Sequence, residues 1–350
     1  MMHTIKFIII YSLVVFITIV DAQTNSARKH YTDESDINHS ENNTSIKYLK
    51  SGGVNADSSY RMVTTDIDNF WLAYDALEHS KDSIRTFQEM YIDNASPEFK
   101  EFLALREFTA IQYIDKIRSY PKFWNTIRPL TILSVKEKKD EIRSIYDEFS
   151  RLYPDFEPPN ICFAISPVAT GGNATEGLIF LGTEIAAVDP DKVDVSEIKG
   201  FMGYVFQNSK GDITSLVTHE LVHSQQPNID NVNKSLLSQA IIEGSADFIA
   251  TLILGRQTMN NAVFEYGEKN QKELWAEFTT DMERNKAYDE TAWFYNYSEA
   301  RPGGRPADLG YYLGYKIVEA YYPNATNKKQ AIKEIIQMKN PETLLKKSKL

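Results

Sequence analysis

Two histidines four residues apart, with a glutamate beside the first, make His219-Glu220-Leu221-Val222-His223 the stretch whose residue types and spacing best fit a reaction. In a helix, residues i and i+4 lie one above the other, so both imidazoles can point at a single ion. Glu220 then stands where it can take a proton from a metal-bound water. The chain holds only six histidines, and two of them fall in this pentapeptide. On a helical projection His223 falls about 40° from His219, while Val217 and Leu221 fall about 160–200° away. The metal-facing and core-facing sides are therefore nearly opposite, though Leu216, at about 60°, blurs the division. Asp212 suits the N-cap of this helix, and Pro227 closes its far end.

Two imidazoles do not complete a catalytic zinc site, which takes three protein ligands and keeps one open position. No histidine follows His223, and six residues beyond it stands Ile229, so a third-histidine arrangement is excluded. The next strong helical stretch, about Leu236 to Leu254, carries Glu243 and Asp247 on one face among Ile241, Ile242, Phe248, Ile249 and Leu252. Two acids within an apolar surface are costly unless they meet a cation or strong donors. A zinc ion and its histidine would satisfy both.

The elements that must position these residues are mainly helical. From Asp66 to about Arg151 apolar residues recur at helical spacing, with Ser96-Pro97 and Arg128-Pro129 reading as helix starts. After Tyr153-Pro154 the pattern changes. Ile161 to Ile165 reads as a strand, Thr170-Gly171-Gly172-Asn173 as a turn, and Gly177 to Gly182 as a second strand. The two strands are expected to pair beside the active helix, where an edge could align an extended peptide or simply support the helices.

At the N-terminus, Lys6 precedes an apolar run from Phe7 to Val20, fourteen residues broken by Tyr11, Ser12 and Thr18. That is short for a membrane span of about 20 residues but suits a signal-peptide core, with cleavage expected after Ala22. The expectation is an exported protein, periplasmic or extracellular in a bacterial cell envelope, with no stable membrane span after cleavage. Cys162 is the sole cysteine, so no internal disulfide forms. Removing residues 1–22 takes away Lys6 and Asp21, one charge of each sign, and leaves the net charge of −10 unchanged. An acidic surface disfavours nucleic acid as a partner.

His219-Glu220-x-x-His223 followed by Glu243-x-x-x-Asp247 resembles the gluzincin metallopeptidases. The wider pattern is similar to secreted zinc-dependent proteases related to the bacterial gliding-motility lipoprotein B family, a DUF2268-like group. It rests on Ser96-Pro97, Gly171-Gly172, Leu181-Gly182-Thr183-Glu184, His219 to Gln225, Glu243 to Phe248 and Arg305 to Tyr315, spanning roughly residues 65 to 345. The lipidation cysteine of the lipoproteins is absent. The resemblance implies Zn2+ held by His219, His223 and Glu243, with Asp247 orienting His219. It also implies Glu220 as general base for peptide-bond hydrolysis. For the oxyanion, the lack of later histidines leaves tyrosine or arginine: Tyr311, Tyr312, Tyr315, Arg301 and Arg305. Tyr311 or Tyr312 is preferred, since Gly310 and Gly314 permit close approach of their helix; the same tyrosines also suit a core at helical spacing.

The expected fold is α+β, predominantly α-helical, a zincin-like catalytic domain with a small β-sheet beside the HExxH helix. Its divisions are a signal peptide over 1–22, a polar leader over 23–60, a helical region over 61–155 and a metallopeptidase region over 156–350. Two functions stay open: a zinc peptidase acting on a peptide or protein substrate, and a noncatalytic envelope assembly protein with structural zinc. An intact Glu220 favours the first.

Overall fold

The computed structural model describes residues 60–227, 235–284, 287–288, 291–296 and 304–350. The apolar segment up to residue 22, the leader up to residue 59, Ile229 and Arg301 lie outside the described residues. Residues 60–350 fall in one compact unit, α+β and mostly helical.

The described residues open with β1 (Met62–Val63) and α1 (Thr65–Ala76), then α2 (Ser83–Phe87), α3 (Pro97–Arg106), α4 (Ala110–Ser119) and α5 (Pro121–Leu152). Ser96 caps α3 through its hydroxyl, which accepts from the Phe99 amide at 3.1 Å. Arg128-Pro129, in contrast, starts nothing: α5 begins at Pro121 and runs through Pro129. An interior proline removes one backbone bond and costs about 3 kcal/mol. The long buried stripe Phe123, Trp124, Ile127, Thr131, Val135, Ile142, Ile145, Tyr146 and Phe149 outweighs that cost. Aromatic rings fill the space between these helices. Phe70 meets Phe87, Tyr91 and Trp124 at centroid separations of 5.7, 5.3 and 5.2 Å.

β2 (Asn160–Ala164), β3 (Gly172–Thr175) and β4 (Leu178–Gly182) complete a mixed sheet of order β1-β2-β4-β3. β2 and β4 pair in parallel, with Cys162 opposite Phe180. Of the four residues read as a turn, Gly172 and Asn173 instead start the edge strand, pairing antiparallel with Leu181 and Phe180, while Gly171 stays in the bend before it. The reversal lies after Thr175, where Gly177 takes a left-handed φ of 79°. Tyr91 and Tyr113 tie the aromatic helices to the end of β2, both donating to the Ile165 carbonyl at 2.7 and 2.9 Å.

The second half adds α6 (Thr183–Ala186), α7 (Gly200–Gln207), α8 (Ile213–His223), α9 (Leu236–Leu254), α10 (Asn261–Glu283), α11 (Leu309–Asn324), α12 (Lys328–Gln337) and α13 (Pro341–Ser348). α9 is long and apolar enough to cross a membrane, yet it is largely buried inside the molecule, packed between α8 and α11. Its contact with α11 depends on two glycines. A methyl on Gly244 would sit 2.6 Å from Gly314 Cα, and one on Gly314 would enter the Ala240 carbonyl. Backbone touches backbone there, so the helices cannot separate without losing the core between them. Gly314→Ala is expected to destabilise the protein by about 2 kcal/mol or more, the range of overpacking in a tight core. Urea unfolding would show it, and an unchanged midpoint would refute the close contact.

Candidate metal centre and cleft

α8 begins where Asp212 accepts from the Ser215 amide at 3.2 Å. Arg256, just beyond α9, holds this start through Asp212 Oδ1 (2.9 Å), Thr214 Oγ1 (3.1 Å) and Ser215 Oγ (2.9 Å). One clamp therefore sets α8 against the end of α9. About two and three turns on, His219 and His223 project toward α9, and Glu243 projects back.

The three side chains converge. His219 Nε2 and His223 Nε2 lie 2.9 Å apart, and Glu243 Oε2 lies 3.6 Å from the first and 3.3 Å from the second. His219 Nδ1 faces Asp247 Oδ1 at 3.0 Å, and His223 Nδ1 faces Gln226 Oε1 at 2.7 Å. A carboxylate only accepts. The Gln226 amide nitrogen is committed to the Ile242 carbonyl and Ser245 Oγ, at 3.0 and 2.9 Å. Both imidazoles must then carry their protons on Nδ1, a tautomer assigned from this network. Their Nε2 lone pairs turn toward each other and toward Glu243 Oε2, a buried oxygen with no hydrogen-bond donor.

Three electron-pair donors facing one point fit a divalent cation, and two nitrogens with a carboxylate oxygen are a catalytic-zinc donor set. Among the described residues His219, His223 and Glu243 form the one group of this kind, their ligand atoms all within 4.8 Å of one another. The charge balance agrees. Burial opposes a charge on His219, but Asp247, Glu243 and Glu220 together hold its pKa well above the usual histidine value. Burial likewise pushes Glu243 up, and the imidazoles of His223 and His219 overcome it, bringing the carboxyl down to about 2.

The other oxygen of Glu243 is spoken for. Gln239 donates to Oε1 at 3.0 Å, and the Tyr295 hydroxyl reaches it at 3.4 Å. Two donors on Oε1 leave Oε2 for the ion. Gln239 was findable in the sequence, one turn before Glu243 on the same face. Gln226 and Tyr295 were not, since a loop delivers each. Tyr295 adopts a left-handed φ of 57°, its amide held by Asp308 Oδ1 at 2.6 Å.

A cavity of about 550 Å³ opens on the cluster, lined by His219, Glu220, Asp247 and Tyr311 together with Gly171 and Gly172 of the sheet edge. Glu220 is buried and covers Gly172, where a methyl would lie 2.6 Å from its Cδ. Tyr311 lies nearly parallel to the His219 ring, with centroids 6.4 Å apart. Burial and the nearby Glu243 raise its pKa well above the usual tyrosine value, so its hydroxyl stays a donor. The other oxyanion candidates go elsewhere. Tyr312 is fully buried and donates to Glu268 at 3.0 Å, outside the cavity lining. Tyr315 packs on Phe248, and Arg305 lies over the Trp293 ring beside Glu277.

Residues 179–346 match a protein-family model described as "Predicted Zn-dependent protease (DUF2268)". The match takes in most of β4 and all of α8, α9 and α11, and so every residue of the cluster. It begins well after residue 65, where the resemblance read from the sequence started. No curated protein and no solved structure matches the chain.

A zinc ion bound there would have to displace the proton that His219 holds so firmly, so proton and metal would compete. Zinc affinity is expected to fall about tenfold per pH unit as the solution is acidified below the raised His219 pKa. Chelator competition from about pH 8 to about pH 5.5 would measure this. An affinity flat across that range would remove His219 from the ligand set.

Proposed function

We propose that the protein is an exported zinc metallopeptidase of gluzincin type on a zincin-like scaffold. The observation that carries the reading is the meeting of His219, His223 and Glu243 Oε2, with His219 and Glu220 lining one cavity. The family match supports zinc dependence and proteolysis. Export rests on Lys6 and the apolar run to Val20.

Zinc held by the two Nε2 atoms and Glu243 Oε2 would supply the Lewis acidity that acidifies a water and polarises a scissile carbonyl. The chain's own residues do the rest. Glu220 accepts a proton from the attacking water at its carboxylate and returns it to the leaving amine. Asp247 fixes the His219 ring by holding Nδ1–H, and Gln226 does the same for His223. Tyr311, protonated and facing the cavity, donates to the oxyanion as it forms. The outer edge of β3 lies beside the cluster and offers backbone groups to an extended peptide.

A structural site has no use for Glu220 at a cavity wall, which favours the peptidase over the assembly-protein reading. Glu220→Gln should keep zinc at wild-type stoichiometry and lower peptide-library cleavage by about 10²–10⁴-fold. Wild-type protein that binds zinc yet cleaves nothing would point to the noncatalytic alternative. Tyr311→Phe should lower kcat by about 10²-fold with KM little changed, since the hydroxyl acts only as charge develops.

A further inference from the structure

Glu184 is a fully buried carboxyl group hydrogen-bonded to the turn that precedes β3. Ser166 Oγ lies 2.5 Å from Oε1, the Ser166 amide donates to Oε2 at 3.0 Å, and the Val168 amide also faces the group. Burial pushes its carboxyl up to about 8 against the pull of these donors. A fully buried polar group of this kind costs stability unless its hydrogen bonds are satisfied, so its effect on its neighbours needs an account.

What Glu184 holds is a strained turn. Val168 is β-branched, buried, and sits at φ 52°, a left-handed conformation such residues avoid. Strain of this kind persists only where the surroundings over-determine it, and it gathers at functional sites. Ser166 Oγ passes the restraint forward by accepting from the Ala169 amide at 3.1 Å. Thr170 Oγ1 then donates to the Gly172 carbonyl at 2.8 Å, and the Gly182 amide donates to the Gly171 carbonyl at 2.9 Å. Gly172 is the residue on which the Glu220 side chain lies.

We propose that Glu184 is a positioning residue for Glu220. Through Ser166 and the Val168 turn it fixes the Thr170–Gly172 backbone as the wall that holds the Glu220 carboxylate at the cavity. The helix sets where Glu220 starts; the sheet edge sets where its carboxylate ends. The catalytic consequence rests on the peptidase reading, while the positional one stands without it.

The test uses the full zinc-loaded chain with Glu184→Ala, and with Ser166→Ala as the milder variant should the first fail to fold. Three quantities are measured: amide exchange, the rate at which a water-soluble carbodiimide labels Glu220, and kcat and KM. The expected result is faster exchange confined to residues 166–175, faster labelling of Glu220 and unchanged zinc content. With these, kcat should fall on the order of 10- to 100-fold at similar KM, the effect of an ångström-scale misplacement. Gly172→Ala, which displaces the carboxylate directly, should give the same kcat loss with exchange at 166–168 unaltered. Faster exchange at 166–175 with Glu220 labelling unchanged would overturn the proposal, as would a rise in KM alone. If the wild type cleaves nothing, the peptidase reading fails, and exchange with labelling still decides the positional claim.

Discussion

A carboxylate oxygen with no donor, buried beside two imidazole lone pairs, is the constraint around which the second half of the molecule is arranged. With both rings neutral, Glu243 Oε2 and the two Nε2 lone pairs would repel one another in a medium that screens little, and the proton that His219 holds relieves this only in part. A single cation reverses the sign of all three interactions. The neighbours commit every other polar atom of the cluster: Asp247 and Gln226 take the Nδ1 protons, and Gln239 and Tyr295 take Oε1. The position of a bound ion would thus be decided by groups that never touch it, as is usual where a metal must be held in one geometry.

Such an arrangement needs helices closer than ordinary side chains allow. α9 brings Glu243 and Asp247 to α8 on one side while Gly244, between them in sequence, meets Gly314 of α11 on the other. The same contact carries Tyr311, one turn earlier on α11, to the His219 ring. Gly172 repeats the device at the sheet edge. The site is assembled by backbone approach from two directions, and the side chains with chemistry to do occupy the space left between.

The parts of this that were legible in the sequence are those whose information is local. The spacing of His219, Glu220 and His223, and of Glu243 and Asp247, follows from helical repeat alone, and α9 runs over Leu236–Leu254 as its apolar pattern indicates. Non-local pairing was illegible. Gly171-Gly172 has the composition of a turn, and only pairing with β4 makes Gly172 part of a strand. Pro129 has the look of a helix start, and only the buried stripe of α5 carries the helix through it. Tyr311 and Tyr312 are neighbours with equal claims in sequence; a rotation of about 100° sends one to the cavity and the other to Glu268.

The division of labour between helix and sheet explains why Glu220 can be both buried and available. A carboxylate on the metal-facing side of α8 alone could rotate toward solvent or toward the ligand cluster. The Gly172 backbone removes one set of rotamers, and an ion held by the cluster would remove another. What remains is a carboxylate with its exit closed by the strand and its face open to the cavity. Proton transfer needs a base held at one distance from the attacking water, and a rigid edge delivers that.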